Sequence, residues 1–122
     1  MAEHNLVGKK GEEIANKFLV DNGFKIRHIN WRFKKNEIDI IAEKNNLLTV
    51  IEVKTRTSEY FENPHEAVTI SKQKFIIKAT EAYIHEFNID LETRFDIIGV
   101  SLLPNETKID HIEDAFQASL IN

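Results

Sequence analysis

Two runs, Glu37-Ile38-Asp39-Ile40-Ile41-Ala42 and Leu47-Leu48-Thr49-Val50-Ile51-Glu52-Val53-Lys54, stand on either side of a short polar turn. They read as a β-hairpin. Asn45-Asn46 is a suitable two-residue loop, because asparagine tolerates the positive φ such turns need. That loop fixes the register. Lys44 falls opposite Leu47, Asp39 opposite Glu52 and Glu37 opposite Lys54. Side chains alternate along a strand, so these last four share one face, and Ile38, Ile40, Ile51 and Val53 share the other. A loop longer by one residue would slip the pairing by one and set apolar against charged positions, which the apolar set disfavours. Two carboxylates facing each other across a ladder repel. A chain that places them there has a use for them, and a divalent cation is the usual one.

The remaining elements frame this hairpin. A helix is expected from about Gly11 to Asn22, with Ile14, Ala15, Phe18 and Leu19 as its apolar stripe and Gly23 as its stop. Glu13 then points to solvent and Glu12 sits at the stripe's edge. Phe24–Asn30 alternates as a strand, and the basic, aromatic segment Trp31–Asn36 continues it or turns into the hairpin. Arg56–His65 reads as an irregular loop. Ser71 is a candidate N-cap for a helix running to about Phe87, with Phe75, Ile76, Ala79, Ala82 and Tyr83 facing inward. Lys72 falls on that inward stripe. Phe95–Leu103 is a fourth strand, Lys108–Ile112 a short edge strand, and Phe116–Leu120 a last helical turn. The order α-β-β-β-α-β predicts an α+β mixed sheet with a helix on each face: an antiparallel meander, then a crossover helix and a returning strand. The 122 residues carry no linker, repeat or low-complexity segment, so residues 1–122 are expected to form a single domain.

Composition narrows the chemistry. With no cysteine, disulfides and thiolate metal sites are excluded. The N-terminal segment lacks the apolar core of a signal peptide, and no apolar run approaches membrane-spanning length, so the expectation is a cytoplasmic protein with no membrane partner. The net charge is −4, but it is unevenly spread. Residues 1–80 hold 14 basic and 11 acidic side chains, and residues 81–122 hold 2 and 9. Arg32, Lys34, Lys35, Lys54, Arg56 and Lys72 all lie in the first part, near the hairpin in sequence. A locally basic surface binds phosphates despite an acidic total. The five histidines show no metal-ligand spacing. There is no nucleophile elbow and no glycine-rich phosphate loop, so no small-molecule organic cofactor is expected. Trp31 and Phe33 could contact bases, although packing is the commoner use of such residues.

A hard cation such as Mg²⁺ takes one or two carboxylates and keeps several waters. Asp39 and Glu52 suit it, and Glu12 could add a carboxylate if the first helix packs over this end of the sheet. Lys54 could orient or deprotonate an attacking water, or hold a phosphate as a point charge. An isolated Glu-x-Lys is common on charged hairpins. It is the opposed Asp39 that gives the pattern weight.

Asp39 followed by Glu52-Val53-Lys54 resembles the (D/E)xK nuclease core, usually written PD-(D/E)xK, with Ile38 where the motif's weakly kept proline would stand. More specifically, roughly residues 8–101 resemble the YraN-like family of small bacterial predicted endonucleases in the restriction-endonuclease-like superfamily. The resemblance is carried by Gly11-Glu12 with Ala15 and Leu19, by Gly23, by Asn30 with Arg32, and by Glu37-Ile38-Asp39. It continues through Glu52-Val53-Lys54-Thr55-Arg56, Glu66-Ala67-Val68, Lys72 and Arg94-Phe95-Asp96. One departure is Asn36, where the family usually has glycine.

The resemblance implies a restriction-endonuclease-like αβββαβ core and metal-dependent endonuclease cleavage of DNA, with Mg²⁺ or Mn²⁺ as cofactor. Asp39 and Glu52 would be metal ligands, Lys54 the catalytic lysine, Glu12 an auxiliary acid and Lys72 a helix residue near the site. Such enzymes commonly act as dimers, because cutting two strands needs two sites, so a homodimer is an option. Branched or otherwise structured DNA is one substrate option by analogy. Two alternatives stand beside this reading: a nucleic-acid-binding module without turnover, and an interaction domain using the acidic C-terminal part.

Overall fold

The computed structural model describes residues 2–58 and 68–118, with side chains from residue 6 onward. Its elements are α1 (Ala2–Asp21), β1 (Lys25–Phe33), β2 (Asn36–Lys44), β3 (Leu47–Arg56), α2 (Ile70–Glu86), β4 (Glu92–Leu103) and β5 (Glu106–Phe116). The strands form one sheet in the order β1-β2-β3-β4-β5. Pairing is antiparallel except between β3 and β4, which run parallel across the α2 crossover. The expected mixed sheet with a helix on each face is what forms, extended by a full fifth strand.

The central strands β2, β3 and β4 are buried on both sides. Ala15 and Leu19 of α1 pack on Ile40, Ala42, Ile51, Val53, Ile98 and Val100. Ile76, Ala79 and Tyr83 of α2 pack on Ile38, Ile41, Leu48, Val50, Phe95 and Ile97. Helix α1 begins nine residues before the expected Gly11. It ends as expected: Gly23 takes φ 90°, its N–H donates to the Val20 carbonyl and that of Phe24 to the Leu19 carbonyl, which stops the helix. The N-cap of α2 is Thr69 rather than Ser71, and its Oγ1 accepts the Lys72 N–H at 3.1 Å. Phe116 ends β5 instead of opening a helical turn, and residues 119–120 lie outside the described residues, as do residues 59–67 of the expected loop.

The hairpin turn is the expected one. Asn45 and Asn46 both take positive φ, 54° and 61°, and Lys44 pairs with Leu47. The β2–β3 pairing, however, stops at Ile40 opposite Ile51. Beyond it the regular alternation breaks: Asn30 on β1 adopts the left-handed φ 53°, and Ile38 and Ile40, two residues apart, enter opposite cores. The single apolar face expected from Ile38, Ile40, Ile51 and Val53 is therefore divided, with Ile38 under α2 and the other three under α1. Asp39 sits at the break. Between β1 and β2 the left-handed residue is Lys34 (φ 57°), while Asn36 pairs with Phe33 as an ordinary strand residue.

Candidate metal and nucleic-acid site

The break in β2 turns Asp39 toward both layers. Its Oδ2 accepts the Val53 N–H at 2.8 Å, just past the last β2–β3 pair. Glu52 projects from β3 toward α2 and is 5% exposed. Lys72, in the first turn of α2, reaches it with Nζ 3.3 Å from Oε2. Asp39 and Glu52 are thus brought together, though by a splayed strand end rather than as a direct cross-strand pair. Burial, then the Asp39 charge and a hydrogen bond to Asp39, push the Glu52 carboxyl up to about 9, against the opposing pull of Lys72. Burial and the neighbouring Asp39 thus favour the neutral form of the Glu52 carboxyl.

Glu12 reaches the same cluster from α1. Its carboxyl is raised by burial and by the charges of Asp39 and Glu37, with an Asn30 hydrogen bond opposing. Gly11 explains how α1 comes so close: a Cβ there would overlap Thr55 Oγ1 and lie 2.7 Å from Thr55 Cβ on β3. Lys54 follows Glu52 on the α2 side by strand alternation and is half-buried. Glu37 pairs with Arg32 at 3.8 Å, not with Lys54 as the continued ladder would have it.

The donor set fits a hard divalent cation. Glu52 Oε1 is buried with no hydrogen-bond partner, and a second carboxylate faces it. A cation would satisfy that orphaned oxygen and favour the ionised form of Glu52. Lys34 and Lys35 form the exposed β1–β2 turn, and Arg56 ends β3. Because β2 and β3 are antiparallel, these residues lie at the same end of the sheet as Glu52, Lys54 and the start of α2. Trp31 and Phe33 are packed instead: Trp31 meets Tyr83 edge-on with centroids 5.1 Å apart, and Phe33 lies against Phe75.

A second ionic group lies toward the other end of β4, on the α1 side. Asp96, fully buried, takes Arg94 Nε at 2.8 Å and Nη2 at 2.9 Å, His111 Nε2 at 2.7 Å and the Asp114 N–H at 3.0 Å. Burial alone would raise its carboxyl, but the bonds from His111, Arg94 and the backbone outweigh it and hold it below the usual carboxylate range. Among the described residues, Asp96, His111 and Glu113 are the one group of three whose ligand atoms all lie within 4.8 Å of one another and could hold a metal ion. Glu12, Asp39 and Glu52 do not close to that distance as a trio. Arg94 already engages both Asp96 oxygens, so a cation at this second group has to displace an ion pair. The role of His111 was not legible, because a bulge with Asp114 at φ 53° folds β5 around Asp96.

The αβββαβ core, with its acidic pair and lysine at the splayed end of the hairpin, is a restriction-endonuclease-like α+β fold. Residues 11–100 match the family described as "Uncharacterised protein family UPF0102". A UPF0102 protein of Phocaeicola vulgatus is 52% identical over 95% of this chain and 96% of its own length. One from Flavobacterium psychrophilum is 48% identical over 95% and 98%, and one from Bacteroides thetaiotaomicron is 47% identical over 98% and 99%. The chain belongs to UPF0102, the YraN family. Among the described residues no helix is long and apolar enough to cross a membrane.

Proposed function

We propose that the protein is a cytoplasmic, metal-dependent endonuclease that hydrolyses DNA phosphodiester bonds, with Asp39 and Glu52 as ligands of Mg²⁺ or Mn²⁺. The observation that carries this is Glu52: a buried carboxyl beside Asp39, with one oxygen unpartnered, at a cationic end of the sheet. A bound divalent ion would supply neutralisation of phosphate charge and a more acidic water. The chain's own residues do the rest. Asp39 is held rigid by the Val53 N–H. Lys54 orients or deprotonates the attacking water, or holds the scissile phosphate. Glu12 stands as an auxiliary acid on the α1 side. Arg32, Lys34, Lys35, Arg56 and Lys72 hold flanking phosphates. Two such sites in a homodimer would cut a duplex.

Lys72 gives specific support to the second reading, a binding module without turnover, because its Nζ already stands 3.3 Å from Glu52. One experiment separates the two. Linear, single-stranded, flap and four-way-junction DNA are incubated with the protein and Mn²⁺, Mg²⁺ or EDTA, beside Glu52→Ala and Lys54→Ala. Metal-dependent cutting by the wild type alone supports the nuclease. Retention of DNA that weakens with salt, without cutting, supports the binding module. Absence of both cutting and retention would leave the interaction domain standing.

A further inference from the structure

We propose that the cavity between α1 and the kinked part of β1 is a subsite for an unpaired nucleobase next to the scissile phosphate. This rests on the nuclease reading for its place in catalysis, though not for its test. The cavity measures about 220 Å³ and is lined by Lys9, Glu12, Glu13, Asn16, Ile29 and Asn30. Its floor is Ile29, a large apolar side chain left 48% exposed on a strand where most neighbouring apolar residues are packed. Asn16 Oδ1, in its wall, is a buried acceptor without a donor. Asn30 holds a left-handed backbone, φ 53°, and hydrogen-bonds Glu12.

The chemistry of the lining selects the ligand. Glu12 and Glu13 outnumber Lys9 in the lining and disfavour a phosphate. The deoxyribose of a polymer has no free hydroxyl to satisfy Asn16. A nucleobase offers an apolar face for Ile29 and, in adenine, cytosine or guanine, an amino group to donate. A base stacked in a duplex cannot reach such a cavity, so the nucleotide must be unpaired or extruded. Ile29 pairs with Ile40 and Trp31 with Ile38, which sets Asn30 of the cavity next to Asp39, so the bound base would lie beside Asp39. The inference therefore narrows the substrate class to DNA with an unpaired nucleotide at the cleavage position.

The test is binding in EDTA, which keeps it independent of cleavage. The full chain is titrated with three duplexes: fully paired, with a one-nucleotide 2-aminopurine bulge, and with an abasic bulge. Wild type should bind the base-bearing bulge about fivefold or more tightly than the abasic one, the lower end of what a single base contact contributes. The 2-aminopurine fluorescence should rise as the base leaves its stack. Ile29→Ser, at an exposed position that tolerates polarity, and Asn16→Ala should each abolish this preference while binding paired duplex as the wild type does. Equal affinity for the two bulges, or a preference that both variants retain, overturns the proposal. Failure to bind any of the three DNAs overturns it together with the nucleic-acid reading. Base preference without cutting in Mn²⁺ supports the subsite and removes only the nuclease.

Discussion

Glu52→Gln should separate a strained functional carboxyl from an ordinary structural one. In the folded protein the Glu52 carboxyl is pushed up to about 9 from an ordinary value of 4.5. Between those values the folded chain keeps a proton that the unfolded chain has lost. Stability must then fall as pH rises through this window, by about 1.4 kcal/mol per unit at full slope. From about pH 5.5 to about pH 8 the loss is about 3 kcal/mol. Glutamine keeps the shape and does not titrate. The assay is urea unfolding of both proteins at each pH, with chelator present. The wild-type minus variant difference cancels the titrating groups that Glu52 does not interact with. The variant should gain on the wild type by about 3 kcal/mol between the two conditions. A difference that stays constant within about 1 kcal/mol would refute the reasoning and return Glu52 to an ordinary ion pair with Lys72.

Other consequences follow from single contacts. Removing the Tyr83 hydroxyl (Tyr83→Phe) takes partners from Arg27 Nε at 2.9 Å and His28 Nδ1 at 2.8 Å, and should cost about 1–3 kcal/mol in urea unfolding. Asp96→Asn leaves Arg94 and His111 without their buried anion and should cost about 3–5 kcal/mol. Because the folded Asp96 carboxyl is depressed, its contribution is present above the unfolded value of 3.8 and is lost as pH falls through the folded one, so the wild type's advantage over Asp96→Asn should shrink in strong acid. Gly11→Ala forces α1 off Thr55 and should destabilise by about 1–3 kcal/mol, seen as a lowered thermal midpoint. Replacing Lys34 and Lys35 with glutamine should flatten the slope of log affinity against log salt for duplex DNA by up to about 2.

What was legible in the sequence was local. The Asn45-Asn46 turn and the α2 stripe through Ile76, Ala79 and Tyr83, with Lys72 turned inward, each depend on residues within a few positions or on strict periodicity, and the structure shows them, with Gln73 and Thr80 buried where Phe75 and Ala82 were expected. What was not legible depended on partners distant in sequence. The left-handed backbone at Asn30, on one strand, is what accompanies the break at Asp39 on the next, so alternation alone wrongly put Ile38 and Ile40 on one face and Glu37 opposite Lys54. Strand β5 is exposed and charged over Glu106–Asp110, and therefore lacks the apolar alternation that would have shown its length. Its bulge at Asp114 brings His111 and the Asp114 N–H to Asp96, 15 and 18 positions away, and Glu113 to Arg94. The α1 extension before Gly11 carries Leu6 exposed, so no buried stripe announced it.

The measurement that bears most directly on the account is a calorimetric titration of Mn²⁺ into the wild type, Glu52→Gln and Glu113→Gln. Binding at Asp39 and Glu52 requires Glu52 to be ionised, so wild-type affinity should rise with pH, vanish in Glu52→Gln and persist in Glu113→Gln. Binding that survives Glu52→Gln and is lost in Glu113→Gln would place the metal at Asp96, His111 and Glu113 and contradict the proposed site.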